Sequence, residues 1–152
     1  MDPNQLVVGK MIARGGFKHV YEGTYAGQAV AVSVINGSTD VIMKSKRSSK
    51  LLSRDLRAMS MLSNHPSVPK FHGYCSTMVK TDENQIVLVN ELCNYGDLSV
   101  FVETVEFQRL TTEDRLLMCI DVLRVLSVMH EERIYLQEGL QISRAACSSR
   151  YR

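Results

Sequence analysis

Apolar residues alternate with polar ones in short runs up to about residue 35, and from about Lys50 they recur at helical spacing. Gln5 to Ala13 carries Leu6, Val7, Val8, Met11 and Ile12 around an interrupting Gly9, and reads as a first strand. Lys18 to Tyr25 resumes as a second strand across the Gly15-Gly16 bend. Gln28 to Ile35 makes a third, with Val30, Val32 and Val34 pointing one way and Ala29, Ala31 and Ser33 the other. Together they predict an antiparallel meander. The polar stretch Asn36 to Ser49, with Gly37-Ser38 and the basic run Lys44-Ser45-Lys46-Arg47, reads as an exposed connection.

Leu51, Leu52, Asp55, Leu56, Met59 and Leu62 then predict one helix packed on the sheet, closed by Ser63-Asn64-His65-Pro66. Phe71 to Val79 and Gln85 to Leu92 follow as two more strands about the turn Lys80 to Asn84, bringing the sheet to five. Asn94-Tyr95-Gly96-Asp97 breaks the pattern, and Leu98 to Glu106 reads as a short helix. Thr111 to His130 is a long one, with Thr111 as cap and Asp114 in the first turn, where its charge meets the positive end of the helix dipole. Its polar residues Asp114, Asp121 and Arg124 form a narrow stripe, so the rest of its surface expects burial. Beyond Leu140 periodicity is lost and Ser and Arg accumulate, which predicts an irregular or disordered tail over 137–152.

Composition narrows the function classes. The 152 residues suit one domain, and 18 basic against 16 acidic residues give a net charge of +2, too balanced to suggest a nucleic-acid or membrane surface. No leader-like N-terminus and no membrane-length apolar run is present, so a soluble cytoplasmic protein is expected. Cys75, Cys93, Cys119 and Cys147 are widely spaced and lack metal-ligand spacing, so reduced thiols are expected and no metal site. Gly15-Gly16 allows close backbone approach to a ligand. A phosphate suits such a loop, with Phe17 placed to lie over it as a lid.

The order of elements, three strands, a helix, two strands and a linker to a long helix, resembles the nucleotide-binding lobe of a protein kinase. Ile12 to Gly23 is similar to that family's glycine-rich loop, with Ala13, Gly15, Lys18 and Val20 at its four landmark positions and only the middle glycine kept. Val30-Ala31-Val32-Ser33 resembles V-A-I-K. His65-Pro66, Leu88 to Cys93 and Gly96-Asp97-Leu98 resemble the turn after the helix, the last strand with its hinge, and the start of the linker helix. The resemblance spans roughly residues 6 to 134. It implies an α+β fold: a kinase-like N-lobe over 5–92, a five-stranded antiparallel sheet with one packed helix. Two helices of an incomplete second lobe would follow over 93–136. It also implies that Ile12, Val20 and Ala31 sandwich an adenine, with Asn90 at the gatekeeper position. Backbone groups of Glu91 and Cys93 would bond the adenine edge, Gly15, Gly16 and Lys18 would lie along the phosphates, and Asp97 would contact the ribose or cap a helix.

The departures matter as much. Phosphoryl transfer needs a lysine on the phosphates held by a helix glutamate, and carboxylates for Mg²⁺ and for the substrate proton. Ser33 stands at the lysine position. Its helix partner falls on Asp55 when aligned through Met59 and Leu62, and on Leu56 when counted from His65-Pro66. Lys18 at the third glycine position, in R-G-G-F-K-H-V, resembles the With-No-Lysine kinases, which supply the charge from the loop. It is therefore a candidate surrogate, the alternative being a solvent-facing lysine. After Ile134-Tyr135, Leu136-Gln137-Glu138-Gly139 replaces the catalytic loop, and neither D-F-G nor A-P-E follows. No catalytic residue is assigned. ATP binding is expected to be weak or absent, and Mg²⁺ is not expected. These departures imply a truncated, inactive pseudokinase that acts through a protein partner or self-association on the Thr111 to His130 helix. The alternatives are a With-No-Lysine-type kinase completed by a missing second lobe, and a kinase gene fragment without function.

Overall fold

Valines at every second position of Gln28–Ile35 set the architecture, because the two faces of that strand are covered by different elements. The computed structural model describes residues 1–79, 81–96 and 98–134. Its strands are β1 (Leu6–Arg14), β2 (Lys18–Tyr25), β3 (Gln28–Ile35), β4 (Phe71–Met78) and β5 (Asn84–Glu91). They form a five-stranded antiparallel sheet in the order β1-β2-β3-β5-β4. The helices are α1 (Thr39–Lys44), α2 (Lys46–Leu62), α3 (Leu98–Phe101), α4 (Val105–Gln108) and α5 (Thr112–Glu131). Among the described residues no helix is long and apolar enough to cross a membrane.

Val30, Val32 and Val34 join Val87 and Val89 of β5 in one cluster, with Leu6, Val8, Tyr21 and Tyr25 packed against it. On the opposite face Ile35, Ile86 and Leu88 meet Leu52 of α2 and Ile42 of α1, with Leu56, Met59, Phe17 and Phe71 around them. The alternation read from the sequence is thus realised on both faces. One helix was expected on the sheet, but α1 also contributes. It lies in the stretch expected to be an exposed connection. It is a helix of six residues whose single buried side chain, Ile42, leaves no periodic stripe to read. Its signals are Ser38 at the N-cap, Asp40 in the first turn and Lys44 in the last.

The chain divides into two units, Met1–Ser60 with Lys70–Leu92, and Met61–Pro69 with the chain from Cys93 onward. In the second unit, Phe101 and Met118 cluster with Phe107 and Leu110, and Leu62, Val125 and Met129 cluster with Val68, Val128 and Ile134. The single helix expected over Leu98 to Glu106 is two short ones, α4 opening on Thr104, whose side chain accepts from the Phe107 N–H. Thr111 caps α5 in a reciprocal box with Asp114, as the sequence suggested.

The expectation of burial on most sides of α5 is met on one side only, and its remaining apolar surface is exposed, as self-association on this helix requires. Its buried side is Met118, Asp121, Val125 and Met129, while Leu116, Leu117, Ile120, Leu123 and Leu126 are exposed. Asp121, assigned to the polar stripe, is only 7% exposed and accepts from Arg124 at 3.4 Å. Its position one helical turn from both Met118 and Val125 puts it on their side. The tail over 137–152 lies outside the described residues.

Candidate functional site

The face that carries α2 also carries Lys18, Val20 and Ala31 of the residues implied as a nucleotide site. Strand register places them. Val20 lies opposite Ser33, Lys18 opposite Ile35, and Ala31 opposite both Glu22 of β2 and Asn90 of β5. Residues opposite one another in an antiparallel pair share a face, so Lys18, Val20, Ala31, Ser33 and Asn90 stand together beside the helix-covered cluster. On β1, Ala13 pairs with Val20 and Met11 with Tyr21, so the register slips by one residue at Ile12. That bulge keeps Ile12 beside Val20 and leaves it 47% exposed. Glu22, a half-buried carboxylate that the sequence reading passed over, stands next to Ala31 and pairs with Lys10 at 3.7 Å.

Ser33 is 5% exposed, in the middle of the strand between Val32 and Val34. Asp55 is half-buried on α2, on the side of the helix that carries Leu52 and Met59 into the sheet cluster. The pair expected to be degenerate therefore holds a neutral hydroxyl and a short carboxylate, with no cation on β3 itself. Glu91 lies opposite Val30, on the other face, where its carboxylate accepts from the Lys70 N–H at 3.0 Å. Its own N–H donates to the Lys70 carbonyl at 2.8 Å. Cys93 belongs to the second unit and its carbonyl accepts from the Gly96 N–H. The expectation of reduced thiols is met at Cys75 and Cys119, whereas Cys93 is disulfide-bonded and corrects it there. Asp97 lies outside the described residues.

The glycine loop, Gly15 to Phe17, is tethered rather than free. The Gly15 N–H donates to the Lys18 carbonyl at 2.9 Å, and the Asn36 N–H donates to the Phe17 carbonyl at 2.9 Å. The Asn36 side-chain amide donates to Gly16 O at 2.8 Å and to Gly15 O at 3.3 Å. A Cβ on Gly15 would come within 3.1 Å of the Lys18 carbonyl oxygen, but one on Gly16 would meet nothing within 4 Å. Of the two glycines only the first is needed by the turn. The second leaves open space. Phe17 is not a lid over the loop, because it packs against the cluster of Ile35, Leu52 and Leu88. Asn36 was missed because Asn-Gly after a strand reads as turn chemistry.

The chain matches the family model for protein tyrosine and serine/threonine kinases over residues 6–135. It belongs to the protein kinase family. Among curated relatives it is 26% identical over 129 residues to a probable serine/threonine-protein kinase of Dictyostelium discoideum, covering 82% of this chain and 13% of that one. It is 24% identical over 135 residues to a serine/threonine/tyrosine-protein kinase of Arabidopsis thaliana, covering 88% and 33% respectively. To platelet-derived growth factor receptor beta of Homo sapiens it is 31% identical over 97 residues, covering 62% and 8%. The chain thus spans a third or less of each of these relatives. As a kinase-family sheet it has the fold expected of the N-lobe.

Proposed function

We propose that this kinase-family chain binds ATP weakly on the β1–β3 face and acts through protein contacts rather than by phosphoryl transfer. The observation that carries the reading is Ser33, buried at the V-A-I-K lysine position with no ammonium to offer the phosphates. Enzymes of this class work chiefly by positioning and by opposing charge, so a neutral hydroxyl there removes a main electrostatic contribution. Ile12, Val20 and Ala31 are suited to hold the adenine, and the open space at Gly16 suits a phosphate. The triphosphate would bring negative charge to a face where Glu22 already stands, which supports weak rather than tight binding. Protein binding is supported by the apolar side of α5, where Leu116 is 59% and Leu123 63% exposed.

A second reading rests on Lys18. This half-buried lysine stands on the same face as Val20 and Ser33, at the strand end next to the glycine loop. Its place supports a With-No-Lysine-type phosphotransferase, which would take its catalytic base from outside the described residues.

A thermal-shift titration with ATP, with and without Mg²⁺, together with a phosphate-transfer assay, separates the readings. The expected result is a rise in melting temperature without transfer. A ligand that binds only the folded state adds about 2.7 kcal/mol at a hundred times its Kd. Transfer by the purified chain would overturn the first reading. Lys18→Ala is expected to weaken ATP binding several-fold, and unchanged affinity would reduce Lys18 to a solvent-facing residue.

A further inference from the structure

The four hydrogen bonds on the glycine loop leave a specific pair of backbone groups unused. Gly15 O and Gly16 O both converge on one nitrogen, the Asn36 amide, at 3.3 and 2.8 Å. In a trans peptide the carbonyl and the following N–H point in opposite directions. Two carbonyls drawn to one atom therefore turn the N–H groups of Gly16 and Phe17 away from it, side by side. Among the described residues neither N–H has an acceptor. The loop cannot easily rotate them back, because the Asn36 N–H bond to Phe17 O and the packing of the half-buried Phe17 ring fix the far end. Adjacent N–H groups aimed the same way are an anion site, and donors already oriented lose little on binding.

We propose that Asn36 is a positioning residue that holds the Gly16 and Phe17 N–H groups as a paired donor for a nucleotide phosphate, an inference that rests on the nucleotide-binding reading above. Asn36 touches no ligand itself. Its amide is suited to this task because it can donate to both carbonyls at once, whereas an aspartate in its place could donate to neither and would repel both. Gly16 contributes by leaving the approach to the pair unobstructed.

The test follows the amide resonances of Gly16 and Phe17 in the full chain during titrations with adenosine, ADP and inorganic pyrophosphate. ADP and pyrophosphate are expected to shift both resonances, and adenosine to leave them in place. Asn36→Ala and Asn36→Asp are expected to weaken ADP about tenfold, the effect of one charge-assisted hydrogen bond, with adenosine affinity unchanged. Asn36→Gln, which keeps the amide, is expected to recover part of the loss. The proposal is overturned if ADP binds the unmodified chain without moving these two amides. It is equally overturned if the Asn36 variants weaken adenosine and ADP by the same factor, which is what loss of a merely structural contact would do. Pyrophosphate binding at these amides without adenosine binding would remove the nucleotide reading and leave the donor pair standing. No response to any of the three probes would remove both.

Discussion

At the scale of single residues, charge and burial decide what the first unit can titrate. His72 on β4 is half-buried, edge-on to the Tyr25 ring at 6.4 Å. Burial, then the nearby Lys70 charge, lower its pKa below the ordinary 6.5, with Glu91 opposing. Because the folded pKa is depressed, the unfolded chain binds the proton more readily. Stability from this group is therefore full above 6.5 and is lost as pH falls through the folded value. Titration of the histidine ring signals by NMR should place His72 below 6.5. Lys70→Ala should raise that midpoint and Glu91→Gln should lower it further; the opposite order would refute this assignment of causes. Much at this scale was legible beforehand. Ala31 and Ser33 fall on the face of β3 opposite Val30, Val32 and Val34, as expected, since alternation alone sets which face a strand residue takes. The places of Asn36 and Phe17 were not legible, because a hydrogen bond spanning twenty residues and the seat of a loop side chain follow from tertiary approach, not from local pattern.

At the scale of elements, close backbone approach constrains the sheet more than propensity does. A Cβ on Gly23 of β2 would collide with the Val7 carbonyl oxygen of β1 and come within 2.9 Å of Val32 Cγ2 on β3. Strand backbones cannot give way as a side-chain tip can. Gly23→Ala should therefore lower stability by about 2–3 kcal/mol, while Gly16→Ala should be nearly neutral. Urea denaturation with an unchanged slope would verify both, and equal midpoints for the two variants would contradict the argument. The sequence predicted β2 and β3 with the ends they have. It left out α1 because six residues with one buried side chain carry no period, and it mistook the buried side of α5 because an aspartate looked solvent-facing. Asp121 is buried beside Arg124, and the leucines expected to need cover are exposed. Hydrophobicity placed the helix but could not orient it, since nearly every direction around α5 is apolar.

At the scale of the whole chain, that orientation has a measurable outcome. Leu116, Ile120 and Leu123 follow one another at spacings of four and three along α5, so they line a single stripe. Covering such a stripe at about 25 cal/mol per Å² favours association before its entropic costs are met. Sedimentation velocity should show a weight-average mass that rises with concentration, and Leu123→Glu should return the chain to monomer. A mass independent of concentration in the unmodified chain would refute self-association through α5. The strand order carries a consequence of another kind. β1, β2 and β3 are joined by short turns and can zip up locally, but the neighbour of β3 on its other side is β5, which lies beyond α1, α2 and β4 in the chain. Closing that long loop must precede any gain from the β3–β5 pairing. During synthesis, then, the valine-rich edge of β3 emerges first and waits unpaired until Asn84–Glu91 has left the ribosome. In that interval the nascent meander presents an open β edge, and the time taken to make β5 sets how long it must be kept from other chains.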